Sequence, residues 1–191
     1  MLFYQRIISY LDKFNLLTKH QFGFRQNSST NHTITYIYDK LIQNVDRGFY
    51  SCCLFLDFSK AFDTIGHNIL IWKLQHYFGF REKAIDLLSS FLTNRYQYTN
   101  VANTLSSLKR IACGVSQGSC LGSLLFLMYI NDIPLASKLD ATLFADDTYL
   151  TLSDKCLRSL ECKVNLELQG IDIWLKKNKL SLNYKKKLSL W

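Results

Sequence analysis

Apolar residues recur at helical spacing over residues 3–17 (FYQRIISYLDKFNLL), which predicts an opening amphipathic helix. Residues 18–29 (TKHQFGFRQNSS) break that period and read as a loop around Gly23. Ser28, Ser29 or Thr30 is placed to cap a second helix that runs to about Val45 and ends near Gly48. The period then changes. Residues 51–58 (SCCLFLDF) are a short, almost continuous apolar run ending in Asp57, the pattern of a central strand buried on both faces with its acid at the exposed end. Helical patterns return over 67–78 and 81–94, and 95–111 predicts two strands joined by a turn at Asn103. Gly118 to Ile133 reads as an apolar helix with Pro134 just after it. ATLFA (141–145) and TYLTL (148–152) flank Asp146-Asp147 as a two-residue hairpin connection. A long helix over about 155–177 follows, then short strands near 180–183 and 187–190.

Strands and helices mix without strict alternation, no segment repeats and no linker divides the chain, so the pattern predicts one α+β unit. At 191 residues, with 13 Phe, 11 Tyr and 3 Trp, the chain can build a core and is not disordered over most of its length. No run approaches the ~18 apolar residues of a spanning helix. The first residues, Met1 to Arg6, lack a basic region followed by an apolar stretch, which argues against secretion. Six cysteines without a Cys-x-x-Cys, and four histidines that complete no zinc spacing, read as reduced thiols in an intracellular protein. The single proline, Pro134, implies either few loops or loops that have lost their prolines. A net charge of +8 and a pI near 9.2 favour a polyanionic partner, nucleic acid or an acidic membrane surface, without choosing between them.

Two acidic sites stand out by position. Asp57 ends the predicted central strand, and Asp146-Asp147 form the predicted hairpin tip. If hairpin and strand are neighbours in one sheet, the carboxylates converge at one edge. Oxygen ligands on rigid strand ends suit Mg²⁺, which takes few carboxylates plus substrate phosphates. Two such ions ~3.5–4 Å apart can activate an attacking hydroxyl and stabilise the leaving oxygen of a phosphoryl transfer. A polar hairpin tip and a strand-end cap would meet the same pattern, so spacing leaves both readings open.

The surrounding residues carry a resemblance. LFLDFSKAFDTIGHNIL (54–70) resembles the first catalytic motif of reverse transcriptases, in the form carried by LINE-type (non-LTR, jockey-like) retrotransposons. GVSQGSCLGSLLFLMYINDI (114–133) resembles the family's next motif and LFADDTYL (143–150) its paired-aspartate motif. QFGFRQNSST (21–30) is similar to a fingers segment, and WLKKNKLSLNYKKK (174–187) to the lysine-bearing motif that closes the palm. The five motifs stand in the family's order over nearly the whole chain. The resemblance implies an α+β reverse-transcriptase palm with partial fingers: residues 1–50 partial fingers, 51–191 mainly palm, an antiparallel sheet packed on helices.

The resemblance also implies roles, residue by residue. Asp57 and Asp146 match the ligands of two Mg²⁺ ions (Mn²⁺ can serve), with the Phe58 carbonyl contributing, and Asp147 matches an acid that helps bind metal or the primer end. Phe62 falls where a bulky ring beneath the incoming sugar excludes a ribose 2′-hydroxyl; its other reading is core packing. Gln117 and Gly118 align with elements around the nascent base pair and nucleotide, Gly118 also allowing close backbone approach. Lys186 matches a lysine that protonates the leaving pyrophosphate. Arg25, Lys185 and Lys187 are candidates for nucleic-acid contact; a loop arginine and a solvated charge run are the alternatives. Asp63 reads as a residue that caps or orients the next segment. The implied partners are an RNA template, a DNA primer and a dNTP, with no membrane, and a nuclear site suits such an element.

Ser116 and Ser123 stand where the family has proline, and Lys187 where it has threonine. The serines are expected to loosen the turn before Gln117 and the start of the helix. Met1 begins after the motif gripping the triphosphate, and Trp191 precedes the primer grip and thumb, so a partial domain without a thumb is expected. The function implied is RNA-directed DNA polymerisation. The alternative is an inactive relic that binds nucleic acid non-specifically, by charge alone.

Overall fold

The structure, a computed structural model, describes residues 2–25 and 29–183. Helix α1 (Leu2–Lys13) buries Ile7 and Leu11. The hydroxyl of Ser29, one of three candidate caps, accepts the His32 N–H at 3.3 Å and starts α2 (Thr30–Asp46). Strand β1 (Tyr50–Asp57) follows, then α3 (His67–His76) and α4 (Glu82–Leu92). The 95–111 hairpin forms as two short ladders. Its outer ladder joins β2 (Tyr96–Gln97) to β5 (Lys109–Arg110), and its inner one β3 (Asn100–Val101) to β4 (Thr104–Leu105). Ala102 and Asn103 both have positive φ at the turn, the pattern of a type I′ connection. Helix α5 (Cys120–Ile130) runs into a 3₁₀ turn at Ile133–Leu135 that holds Pro134. Strands β6 (Asp140–Phe144) and β7 (Asp147–Asp154) and the long α6 (Leu157–Lys177) complete the order. Among the described residues no helix is long and apolar enough to cross a membrane.

The main sheet has the order β1-β7-β6, antiparallel throughout. This corrects the sequence reading in two respects. β7 is the central strand, and β1 lies at the edge over most of its length. Nor is β1 buried on both faces. Cys52, Leu54 and Leu56 join Leu150, Ala141 and Leu143 in the core, whereas Phe55, on the opposite face, is 42% exposed. Alternation decides this: successive residues face opposite sides of a strand. The second face is covered at one end by α2, where Asn44 bonds the Ser153 hydroxyl at 2.8 Å and Lys40 pairs with Asp140. It opens towards Asp57. The short apolar run was an imperfect guide because an exposed phenylalanine looks the same in sequence as a buried one.

The helices meet around one buried cation. The Lys73 ammonium, on α3, donates to the Tyr129 carbonyl at 2.7 Å and to Asp132 at 2.6 Å, and lies over the rings of Tyr129 and Trp174. Burial pushes the Lys73 ammonium below its usual range, and Asp132 works against that. The Tyr129 hydroxyl donates to the Asn178 carbonyl at 2.6 Å, tying α5 to the end of α6; burial pushes this phenol up to about 12. Lys73 therefore joins α3, α5 and α6 in one polar node within an apolar core.

An uncompensated buried ammonium is costly. Asp132→Asn should lower stability by ~3–5 kcal/mol in urea unfolding, whereas Lys73→Met combined with Asp132→Leu should cost far less. A single variant as stable as the double would show that the pair carries no such role.

Candidate active site

The β1–β7 register sets two acids side by side. Asp57, the last residue of β1, pairs directly with Asp147, the first of β7, and Asp147 pairs in turn with Phe144 of β6. Directly paired antiparallel residues lie roughly 4.5–5.5 Å apart at Cα and point to the same face. The hairpin turn is Ala145-Asp146, one residue earlier than the sequence reading placed it, with Ala145 at φ +55°. Asp147 thus belongs to the ladder and Asp146 to the tip. The segment after α6 extends the row. Ser59 N–H donates to the Ser181 carbonyl and Asn183 N–H to the Asp57 carbonyl, both at 2.8 Å, so that Phe58 and Leu182 bridge. Neither bond uses the Phe58 carbonyl. Across the sheet the row reads Phe144, Asp147, Asp57, Asn183. The Asn183 carboxamide donates to Asp57 Oδ2 at 3.0 Å.

Like charges directly opposite across strands destabilise a sheet, so this row is not one that stability alone selects. It opens on a cavity of about 470 Å³ between β1 and α6, whose lining includes Asp57, Asp147, Tyr149, Leu175 and Asn183. Tyr149 meets Phe55 edge-on at 4.8 Å, and burial, then the Asp147 charge, push its phenol up. Two carboxylates in register, with a third one residue away on the turn, fit a cation that takes few protein ligands and completes its shell with phosphates. Among the described residues no three His, Cys, Asp or Glu side chains already close around a metal position.

The turn carrying Asp146 is held from the 18–25 loop. Leu143 N–H donates to the His20 carbonyl at 2.7 Å and Phe22 N–H to the Leu143 carbonyl at 2.8 Å. The buried Gln21 side chain accepts from the N–H groups of Gly23 (2.7 Å) and Ala145 (3.2 Å). Gln21 was missed in the sequence, where a glutamine in a polar loop carries no sign of burial. Gly23 is needed for space: a Cβ there would stand 2.0 Å from the Ala145 nitrogen. Arg25 Nη1 donates to the Thr18 carbonyl at 3.1 Å, so the guanidinium braces this loop. It lines a different cavity, beside α1, and is not brought to the acids.

The loops around Phe62 and Gln117 are joined by backbone bonds, Val115 N–H to the Phe62 carbonyl and Gly114 N–H to that of Ile65, both at 2.8 Å. Phe62 is half-buried, its ring tilted against Phe126 with centroids 4.6 Å apart, so it has both a packed side and an accessible one. Gln117 is exposed and lines a cavity of about 780 Å³ with Lys60, Arg95 and Arg110, weighted towards positive charge against the single Asp63. Gly118 needs its φ of +80°; a Cβ there would meet open space, so close approach within the chain is not its reason. Asp63 does not cap α3, whose N-cap is Gly66. The turn before α5 is closed by Ser119 rather than by the serines at 116 and 123. Ser119 Oγ donates to the Ser116 carbonyl and accepts from Gly122 N–H, both at 3.0 Å, and caps α5. Lys185, Lys186, Lys187 and the strand expected at 187–190 lie outside the described residues. All six cysteines are free thiols; burial, with Cys52 adjacent, pushes Cys53 up to about 11.

Comparison with known proteins bears on the family and the fold. Residues 3–190 match the family described as "Reverse transcriptase (RNA-dependent DNA polymerase)". The chain is 32% identical over 161 residues to the "Probable RNA-directed DNA polymerase from transposon X-element" of Drosophila melanogaster, covering 79% of this chain and 17% of that protein. It is 27% identical over 190 residues to the "RNA-directed DNA polymerase from mobile element jockey" of the same species, covering 95% of this chain and 20% of that one. The chain therefore spans about a fifth of the length of these relatives. A telomerase from Candida albicans, solved with a fragment of telomeric RNA, shares the fold: TM-score 0.70 and 15% identity, over 99% of this chain and 35% of the telomerase chain.

The Gly23 contact makes a direct test. Gly23→Ala drives a Cβ into backbone that cannot swing aside, and should cost ~1–3 kcal/mol. Hydrogen exchange should show faster opening at Ala145 and Asp146. Unchanged stability and protection would contradict the contact.

Proposed function

The chain belongs to the reverse transcriptase (RNA-dependent DNA polymerase) family, and from that premise we propose that it supplies the palm, with part of the fingers, of the RNA-directed DNA polymerase of a LINE-type element. Residues 1–50 are assigned to the fingers and 51–191 to the palm. The observation that carries the reading is the direct pairing of Asp57 with Asp147, beside the turn that bears Asp146. In the proposed reaction the primer 3′-hydroxyl attacks the α-phosphate of a dNTP and pyrophosphate leaves, on an RNA template.

Asp57 and Asp146 would hold two divalent ions, Mg²⁺ or Mn²⁺, with the Phe58 carbonyl, and Asp147 would hold metal or steady the primer end. Bound there, the ions supply the charge that activates a hydroxyl and stabilises a leaving phosphate oxygen. The chain's own contribution is position: carboxylates fixed on paired strand ends meet the reacting groups without reorganising. Gln117 and Gly118, on the loop bonded to Phe62, would meet the nucleotide, and the half-buried Phe62 ring would exclude a 2′-hydroxyl. Lys186 is assigned as the proton donor to pyrophosphate, and Lys185 and Lys187 as phosphate contacts. Lys60, Arg95 and Arg110, in the cavity that Gln117 lines, favour the polyanion further.

The test replaces the aligned fifth of a jockey-type polymerase with these 191 residues and measures primer extension on RNA with Mg²⁺. Extension is expected, and Asp57→Asn or Asp146→Asn should each reduce it by at least ~10²-fold. Extension indifferent to both would overturn the reading. No extension, with nucleic-acid binding that only tracks salt, is the result of the relic alternative.

In the same chimera Phe62→Val should open space at the 2′-carbon and raise ribonucleotide incorporation relative to deoxynucleotide. Unchanged discrimination would assign Phe62 to its contact with Phe126 alone.

A further inference from the structure

The segment that follows α6 does more than cross the end of the sheet. Leu180 is buried and Leu182 packs on the core, so alternation turns Ser181 and Asn183 to the other side, the side of Asp57. The segment is anchored upstream, where buried Asn178 receives the Tyr129 hydroxyl on its carbonyl and its carboxamide donates to the Trp174 carbonyl at 2.9 Å. Two backbone bonds, at 2.8 Å each, then fix it beside residues 57–59. The result is a two-point hold on one residue: the Asn183 N–H on the Asp57 carbonyl, and the Asn183 carboxamide on Asp57 Oδ2 at 3.0 Å.

We propose that Asn183 is a positioning residue for the divalent-cation site. Its carboxamide orients the Asp57 carboxylate, opposite Asp147, so that the acid is presented to metal in one geometry. This rests on the reading of Asp57 as a metal ligand. The chemistry is that of an outer-shell partner. An amide N–H donated to one carboxylate oxygen restricts the side chain's rotation and so fixes the direction in which the carboxylate is presented. An amide suits this place better than a lysine would, since it orients the acid without adding a charge that competes with the metal. It suits it better than a further carboxylate would, since Asp57 already faces Asp147. The hold also makes the site depend on the chain after α6: the asparagine arrives only when Leu180, Leu182 and Asn178 are seated.

The test is Mn²⁺ binding to the 191-residue chain, without nucleotide or nucleic acid, followed by the electron paramagnetic resonance signal of free Mn²⁺. The variants are Asn183→Ala, Asn183→Leu and Asp57→Asn. Leucine keeps the asparagine's branched shape without its donor, so a fold lost only in Asn183→Ala leaves the question decidable. Amide exchange at Ser59 reports whether the 57–59 bridge has formed. With that bridge intact, Asn183→Leu should weaken Mn²⁺ binding by ~10–100-fold, the cost typical of losing an outer-shell partner. Raising Mn²⁺ by the same factor should recover it. Asp57→Asn should abolish the site. Wild-type affinity in Asn183→Leu, with Asp57→Asn lacking the site, overturns the positioning role and leaves the ligand reading standing. Wild-type affinity in Asp57→Asn, or no Mn²⁺ uptake by the unaltered chain, overturns both.

Discussion

The pairing of β1 with β7 constrains everything else in the site. Its register sets Asp57 against Asp147 and, through alternation, sends Cys52, Leu54 and Leu56 into the core while Phe55 and Asp57 face outward. A slip of one residue would exchange the faces, burying the carboxylate and exposing three apolar groups. Core burial therefore enforces the geometry of the acids. At ~1.5–3 kcal/mol per buried aliphatic side chain, the apolar face outweighs the repulsion between two partly solvated carboxylates. The fold can hold this row because the energy that fixes it lies on the other side of the sheet.

Three segments from different parts of the chain are bonded around the two strand ends. The 18–25 loop clamps the Asp146 turn through Gln21 and the close approach of Gly23. The 114–119 loop is bonded to Phe62 and closed by the Ser119 cap. The 178–183 segment reaches Asp57 from the end of α6. Behind them the Lys73 node ties α3, α5 and α6 together, so each loop leaves from a helix or strand that is itself held.

Charge is distributed to match. Part of the basic excess has local partners: Lys176 pairs with Asp172 at 2.6 Å near the C-terminal end of α6, where cations also favour the helix dipole, and Lys163 pairs with Asp154. Lys163, with the Cys156 N–H and the Ser159 hydroxyl, holds the Asp154 carboxyl well below the usual carboxylate range. The cavity that Gln117 lines keeps three cations, Lys60, Arg95 and Arg110, against one acid, Asp63. The acid row and this cationic cavity are joined through the segment that follows β1, which runs from Asp57 past Lys60 and Phe62 to Asp63.

Hydrophobic periodicity by itself determined the helices, the strand that ends in Asp57, the hairpin and the α+β class, because burial is the largest driving force and is written in local pattern. The motifs around Asp57, Gln117 and Asp146 carried the family, because chemistry demands particular side chains at particular spacings. Tertiary structure decided what depends on partners distant in sequence. Strand order put β7 in the centre and left β1 at the edge. The turn moved to Ala145-Asp146 because the 18–25 loop grips Ala145 and because Asp147 has a strand partner in Asp57. Gln21 and Asn183 were invisible as site residues because each acts on an acid or turn more than a hundred residues away, through hydrogen bonds that no local pattern encodes. Arg25 turned inward because carbonyls of its own loop lay within reach. Periodicity reports which face of an element is buried; only the assembled chain says what that face, and the one opposite, will meet.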